Sequence, residues 1–234
     1  MSRPEGKRAG GAQRVPVPSF SRRVESPLWA GRDVDFSIES VVHRLTSSSA
    51  SSWRQRPHTR ASAVLALLTG GPQGAEVLLT RRSSRLSNHS GEVSFPGGRL
   101  DEGETATDAA LREAREEVGI DPSTVTLHAE LSPLNTYVSK SFIVPLVGTV
   151  AHKPALTLSP HEVERAMWVP LAELARPDTF HWEWWRFEHE ELRGERPMFF
   201  FHLDDETVWG ATARMLHEVL CRVHGIDQVD VDEW

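Results

Sequence analysis

A chain of 234 residues, 39% hydrophobic and 25% charged, has the composition of a globular protein with one large domain or two small ones. It lacks the run of roughly 20 apolar residues that a membrane helix needs and the apolar stretch of a secretory signal, and its lone Cys221 excludes a disulfide framework, so a cytoplasmic setting without membrane attachment is expected. Its net charge of −7 divides into +6 over residues 1–60 and −13 over residues 61–234, an acidic body that excludes a nucleic-acid coat and argues against polyanionic substrates in general.

Residues 1–35 are rich in Pro, Gly, Ser and Arg without periodicity and read as a disordered basic tail. Residues 36–57 combine a helix and a serine-rich linker: Phe36, Ile38, Val41, Val42 and Leu45 recur at helical intervals, Ser37 is the N-cap, and Ser47–Ser52 is the linker. A compact domain is expected over residues 58–225. It opens with apolar runs at Ala61–Leu68 and Glu76–Thr80 around Gly70-Gly71-Pro72, a hairpin pattern. Glu92–Phe95 leads into the turn Pro96-Gly97-Gly98. A helix follows from just after Thr105 to about Val118, with Thr105 and Asp108 as a capping box, Gly119 at C′ and Pro122 barring continuation.

Val125–Leu131, Phe142–Val150 and Val163–Val169 are further strands, the last entering a short helix with Pro170 in its first turn. Trp182–Phe187 and Met198–Leu203 form a late hairpin, whose alternating aromatics suit a core or a homodimer interface. A helix over Trp209–Val223 carries Met215, Leu216, Val219, Leu220 and Val223 on one stripe, and residues 226–234 form an acidic tail. Elements mixed this way predict an α/β or α+β sandwich.

The chemistry concentrates in Gly98–Ile120. Glu113, Glu116 and Glu117 stand at i, i+3 and i+4, so their carboxylates share one helix face near the C-terminal, anion-disfavouring end. Two readings account for that face: a solvated Glu/Arg surface with intrahelical ion pairs, or a hard divalent cation held by carboxylate oxygens. Arg112, one residue before Glu113 and four before Glu116, has the reach to orient them.

The segment resembles the Nudix box, G-x5-E-x7-R-E-U-x-E-E-x-G-U with U aliphatic, through Gly98, Glu104, Arg112, Glu113, Glu116, Glu117 and Gly119, with Ala114 and Ile120 in the aliphatic places. Seven such identities have a chance probability on the order of 10⁻⁸ per start position. The resemblance implies a Nudix-type α/β/α sandwich with a mixed sheet and helices on both faces, binding Mg²⁺ or Mn²⁺ and hydrolysing a nucleoside diphosphate linked to another moiety. It assigns Glu113, Glu116 and Glu117 as metal ligands with the Gly98 backbone, Arg112 as the group orienting the cluster, and Gly97, Glu104 and Gly119 as structural. Glu113, Arg112 and Glu116 are the catalytic candidates. The general base is a box glutamate, Glu113 first, or a carboxylate from a later loop, Glu162 or Glu164.

The stretch Leu78-Leu79-Thr80-Arg81-Arg82-Ser83 through Gly91 to Phe95-Pro96-Gly97-Gly98 resembles the signature of the coenzyme A pyrophosphatase branch, except that Ser87 stands where the pattern has Arg. That resemblance implies coenzyme A (CoA) or an acyl-CoA as the small-molecule substrate, with Arg82, Arg85 and His89 as phosphate contacts. The Ser87 departure keeps ADP-ribose and NADH in play. A non-catalytic nucleotide-binding regulator is the reading from another class, and the intact glutamate triplet speaks against it. A cation held in the box reverses the local sign of its −4 charge, so a small pyrophosphate remains compatible with an acidic body.

Overall fold

The computed structural model describes residues 10–24, 27–48, 50, 54–86, 89–136, 139–186 and 194–227. Strand β1 (Phe20–Val24) and helix α1 (Ile38–Thr46) precede the hairpin of β2 (Arg60–Gly71) and β3 (Gly74–Arg82). Short strands β4 (Val93–Ser94) and β5 (Gly97–Arg99) lead into helix α2 (Ala106–Val118). Then come β6 (Thr126–Glu130), β7 (Leu134–Asn135), β8 (Ser141–Thr149), β9 (Val163–Pro170) and the single turn α3 (Leu171–Leu174). Strands β10 (Phe180–Arg186), β11 (Glu195–His202) and β12 (Thr207–Trp209) precede the last helix, α4 (Gly210–His224).

The larger sheet runs β4-β3-β2-β8-β6, with β5 also on β2, β7 on β8 and β9 on β3. Strands β2 and β8 are parallel, whereas β3 pairs antiparallel with β2, β4 and β9. Side-chain alternation splits the apolar residues of β2 and β3 between two cores. Ala63, Leu65, Leu67 and Leu78 meet Ala109, Ala110, Ala114 and Val118 of α2. Ala66, Leu68, Val77 and Leu79 face the side that holds α1 and α4. The fold is therefore the expected α/β/α sandwich on a mixed sheet. Helix α2 begins where the sequence places it: Thr105 and Asp108 complete a capping box, and Gly119 closes the helix at φ 75°. Pro170 is the N-cap of α3, one residue outside its first turn.

A second sheet, β1-β10-β11-β12, covers α4 from the side away from the larger sheet. The apolar stripe of α4 thus accounts for half of its packing. Residues 212–224 are buried throughout, including Arg214, His217, Glu218, Arg222 and His224. Glu218 resolves part of that polarity by accepting from Arg222 Nη2 at 2.6 Å and from the Ser132 backbone and hydroxyl at 2.9 Å. Trp182, Trp185 and Phe199–Phe201 of the aromatic hairpin are buried in the chain's own cores.

The disordered tail expected over residues 1–35 is corrected for its described part. β1 pairs with β10 over five residues. Trp29 is 3% exposed and donates its indole N–H to the Ala175 carbonyl at 2.8 Å. The partners of this segment lie some 150 residues downstream, so no local periodicity announces it. At the other end Ile226 packs against the core; residues 228–234 of the acidic tail lie outside the described residues, as do Ser49 and residues 51–53 of the linker.

His217 of α4 lies in an aromatic stack, 4.1 Å from the Phe199 ring and 5.9 Å from Phe180, with Cys221 Sγ 3.6 Å from its Nε2. Burial, aided by nearby Arg214, pulls its pKa down from 6.5 to about 3. Below pH 6.5 the unfolded chain binds this proton and the folded one does not, so stability present at neutral pH drains away towards pH 3. Urea midpoints should show the His217→Phe protein losing about 2–3 kcal/mol less than wild type between pH 7 and pH 4.5; parallel losses would remove His217 as the cause.

Candidate active site

The site forms where α2 crosses the β5 end of the larger sheet. Gly98 lies within β5, paired to Ala63 of β2, and a Cβ there would stand 2.2 Å from Glu113 Oε1. Only glycine lets the backbone come this close to the carboxylate. Arg112 commits all five of its N–H donors. Its Nε and Nη2 grip Glu104 at 2.8 and 3.0 Å, Nη1 reaches Glu113 Oε1 and Glu116 Oε2 at 3.0 Å each, and Nη2 also reaches the Arg99 carbonyl at 3.0 Å. Glu104, which also accepts from the Asp101 backbone at 2.8 Å, ties the loop to the helix. These hydrogen bonds, Arg112's foremost, hold the Glu104 carboxyl below its usual range.

Glu117 points inward from the same face. Its side chain is 5% exposed, and Arg82 Nη1 approaches Oε1 to 3.9 Å. Burial pushes its pKa up to about 8, opposed by Arg82 and the Gly97 backbone and reinforced by the charges of Glu113 and Glu162. Glu113 is also raised, by burial first, while Arg112 opposes the shift. Among the described residues no three acidic, His or Cys side chains converge on one point as they stand, since Arg112 holds one oxygen each of Glu113 and Glu116 and Glu117 turns to Arg82. The donor set nonetheless fits a divalent cation. Among the described residues Glu117 Oε2 is buried without a hydrogen-bond partner, and the bare Gly98 backbone lies beside Glu113.

Strand alternation separates Arg82 from Arg81. Arg82 faces Glu117, whereas Arg81 faces the other way to Glu164 at 3.0 Å and Glu206 at 2.8 Å. The two later carboxylates also separate, Glu162 in the turn before β9 and Glu164 within that strand. Glu164 is taken by Arg81, but Glu162 makes no side-chain hydrogen bond or ion pair among the described residues, and its charge reaches both Glu113 and Glu117. The turn bearing Glu162 is fastened to α2 and β3: Ser159 N donates to the Glu117 carbonyl at 2.9 Å, and Ser83 N to the Glu162 carbonyl at 2.8 Å.

His89 is held by Glu92 at 2.9 Å, which raises its pKa, while the charge of Arg82 acts against that. Arg85 is not brought into the cluster: it is exposed, and its contact is a backbone one, N–H to Ser83 Oγ at 3.3 Å. Ser87 lies outside the described residues. Sequence reasoning missed the Arg99 carbonyl as an acceptor, the tie from Gln13 to the loop after β3 and the tie from Glu206 to Arg81 of β3. None of these carries a local signal, because each depends on a partner brought in by the tertiary fold.

A glycine strand beside an arginine-ordered glutamate face gathers oxygen donors suited to a divalent cation. Residues 59–189 match the NUDIX domain family, and the chain belongs to that family. It is 34% identical over 173 residues to the uncharacterized Nudix hydrolase NudL of Photorhabdus laumondii, covering 73% of this chain and 88% of that one. It is 35% identical over 191 residues to the chloroplastic Nudix hydrolase 22 of Arabidopsis thaliana, covering 76% of this chain but 59% of that one. Among solved structures it is similar to the C. elegans Ap4A hydrolase in its binary complex, at a TM-score of 0.42 and 26% identity, over 47% of this chain and 80% of that one. Among the described residues no helix is long and apolar enough to cross a membrane.

Proposed function

We propose that this Nudix hydrolase cleaves the pyrophosphate of coenzyme A or an acyl-CoA with a divalent cation, giving adenosine 3′,5′-bisphosphate and the matching 4′-phosphopantetheine. The observation that carries the reading is the position of Arg82, the arginine of the upstream motif, 3.9 Å from Glu117. A guanidinium for substrate phosphate thus stands beside the carboxylates for the cation.

Glu113, Glu116 and Glu117, with the Gly98 carbonyl, would hold Mg²⁺ or Mn²⁺ as carboxylate and backbone oxygen donors. When bound, such an ion offsets phosphate charge and makes a coordinated water more acidic. Arg112 fixes Glu113 and Glu116 through its shared Nη1. Of the candidate bases we favour Glu162 to take the proton of the attacking water, since it makes no side-chain hydrogen bond or ion pair among the described residues; Glu113, the first choice from the sequence, has Oε1 on Arg112 and Oε2 left for this role or for the cation. Arg82 binds the pyrophosphate, with His89 beside it: Glu92 favours the imidazolium form that suits a phosphate contact. Arg85, exposed and outside the cluster, has no contact that supports its expected role as a phosphate ligand.

Specificity constants in Mg²⁺ and Mn²⁺ for CoA, acetyl-CoA, dephospho-CoA, ADP-ribose and NADH test the assignment. CoA or acetyl-CoA should rank first by at least about tenfold, a difference of roughly 1.4 kcal/mol in transition-state binding. ADP-ribose or NADH ranking first would move the protein to another Nudix substrate class, and turnover of none would favour a nucleotide-binding regulator.

A further inference from the structure

The loop after β3 carries His89 and returns through Gly91 beside Arg82, and a side chain from far upstream reaches it. Gln13 uses both ends of its amide: Oε1 accepts from Thr207 N at 2.8 Å, while Nε2 donates to the Gly91 carbonyl at 3.3 Å and to the Glu206 carboxylate. Glu206 is fully buried and also accepts from Arg81 at 2.8 Å and Arg165 at 3.3 Å. Displacing Gly91 would disturb the backbone of Arg82, since Gly91 N donates to the Arg82 carbonyl at 3.1 Å and Arg82 N to the Glu92 carbonyl at 2.9 Å. The segment bearing Gln13 has a fitted seat. Gly10 N donates to the Leu203 carbonyl at 2.8 Å and Gly11 N to Thr207 Oγ1 at 3.1 Å. A Cβ on Gly10, whose φ is +66°, would come within 2.4 Å of Thr207 Oγ1.

We propose that Gln13 is a positioning residue of the active site: from a segment outside the matched Nudix domain it clamps the Gly91 end of the loop and, through it, the placement of Arg82. The strand alternation sharpens this. Glu206 holds Arg81 from one side of β3 while Gln13 holds the loop backbone that follows, so the intervening arginine is fixed from both directions. This role rests on the reading of Arg82 as a pyrophosphate contact.

Hydrogen exchange and steady-state kinetics on the full-length protein test it together. In Gln13→Ala, the amides of His89–Val93 should exchange at least about tenfold faster, and KM for CoA should rise roughly 3–10-fold, the effect of one lost hydrogen bond on placement. The values of kcat and of the melting temperature should stay near wild type. Gln13→Glu, which keeps the acceptor for Thr207 but sets a second carboxylate against Glu206, should reproduce both effects. Loop exchange at the wild-type rate in both variants overturns the proposal, whatever the enzyme hydrolyses, as does a loosened loop with unchanged KM. A wild-type protein inactive on every pyrophosphate, with the loop loosened in Gln13→Ala, overturns the substrate reading and supports the clamp.

Discussion

Replacing Glu117 with glutamine should lower kcat at saturating Mg²⁺ by at least about 1,000-fold, a loss of roughly 4 kcal/mol in transition-state stabilisation. The substitution keeps the shape of the side chain and removes the one carboxylate of the box that is almost wholly enclosed, at 5% exposure. Burial already pushes this carboxyl up to about 8, so a neutral amide costs the fold less than the ionised acid does at pH 8 and above. The melting temperature without added cation should therefore equal or exceed that of wild type, while the rise on adding Mg²⁺ should shrink. An inactive variant that is also unfolded would leave the loss of activity to be explained by stability. A variant hydrolysing at the wild-type rate would refute the role of Glu117.

The second large effect separates two glutamates that lie two residues apart. Glu162→Gln should reduce kcat by about 10²–10⁴-fold, the usual contribution of a positioned base. Glu164→Gln should stay within a few-fold of wild type, because that carboxylate is spent on Arg81 at 3.0 Å. The ground for the asymmetry is geometric: the turn bearing Glu162 is tied to α2 through Ser159 N and the Glu117 carbonyl, whereas Glu164 pairs with Arg81. Equal, modest effects in both variants would return the base to the box, with Glu113 the remaining choice.

Much of this site is legible in the amino-acid sequence, because the box is local. Thr105, Asp108 and Gly119 punctuate one helix, and three glutamates and an arginine fall on its face by spacing alone. The choice between Glu162 and Glu164 is not legible, since it depends on Glu162 lying in the turn before β9 and on the register shift where β9 passes Arg81 and Arg82. The same holds for Arg81 and Arg82, adjacent cations that strand alternation sends to opposite sides. Sequence composition misleads at the N-terminus. Pro, Gly and Arg there suggest a free tail, yet Gly10 is what a tight seat against Thr207 requires, and Phe20–Val24 completes a sheet whose other strands lie over 150 residues away. The stripe on α4 likewise shows one buried face and hides the other, which carries the Glu218–Arg222 pair and His217.

The acidic character of the body, which by itself argues against a polyanionic substrate, is compatible with a pyrophosphate once part of the charge is assigned to a cation site. Product identity with CoA as the sole substrate tests that assignment most directly, with the cation supplied in one sample and chelated in the other. Adenosine 3′,5′-bisphosphate and 4′-phosphopantetheine should appear in equal amounts with Mg²⁺ or Mn²⁺, and neither should appear with the chelator. Intact CoA under both conditions would overturn the CoA assignment.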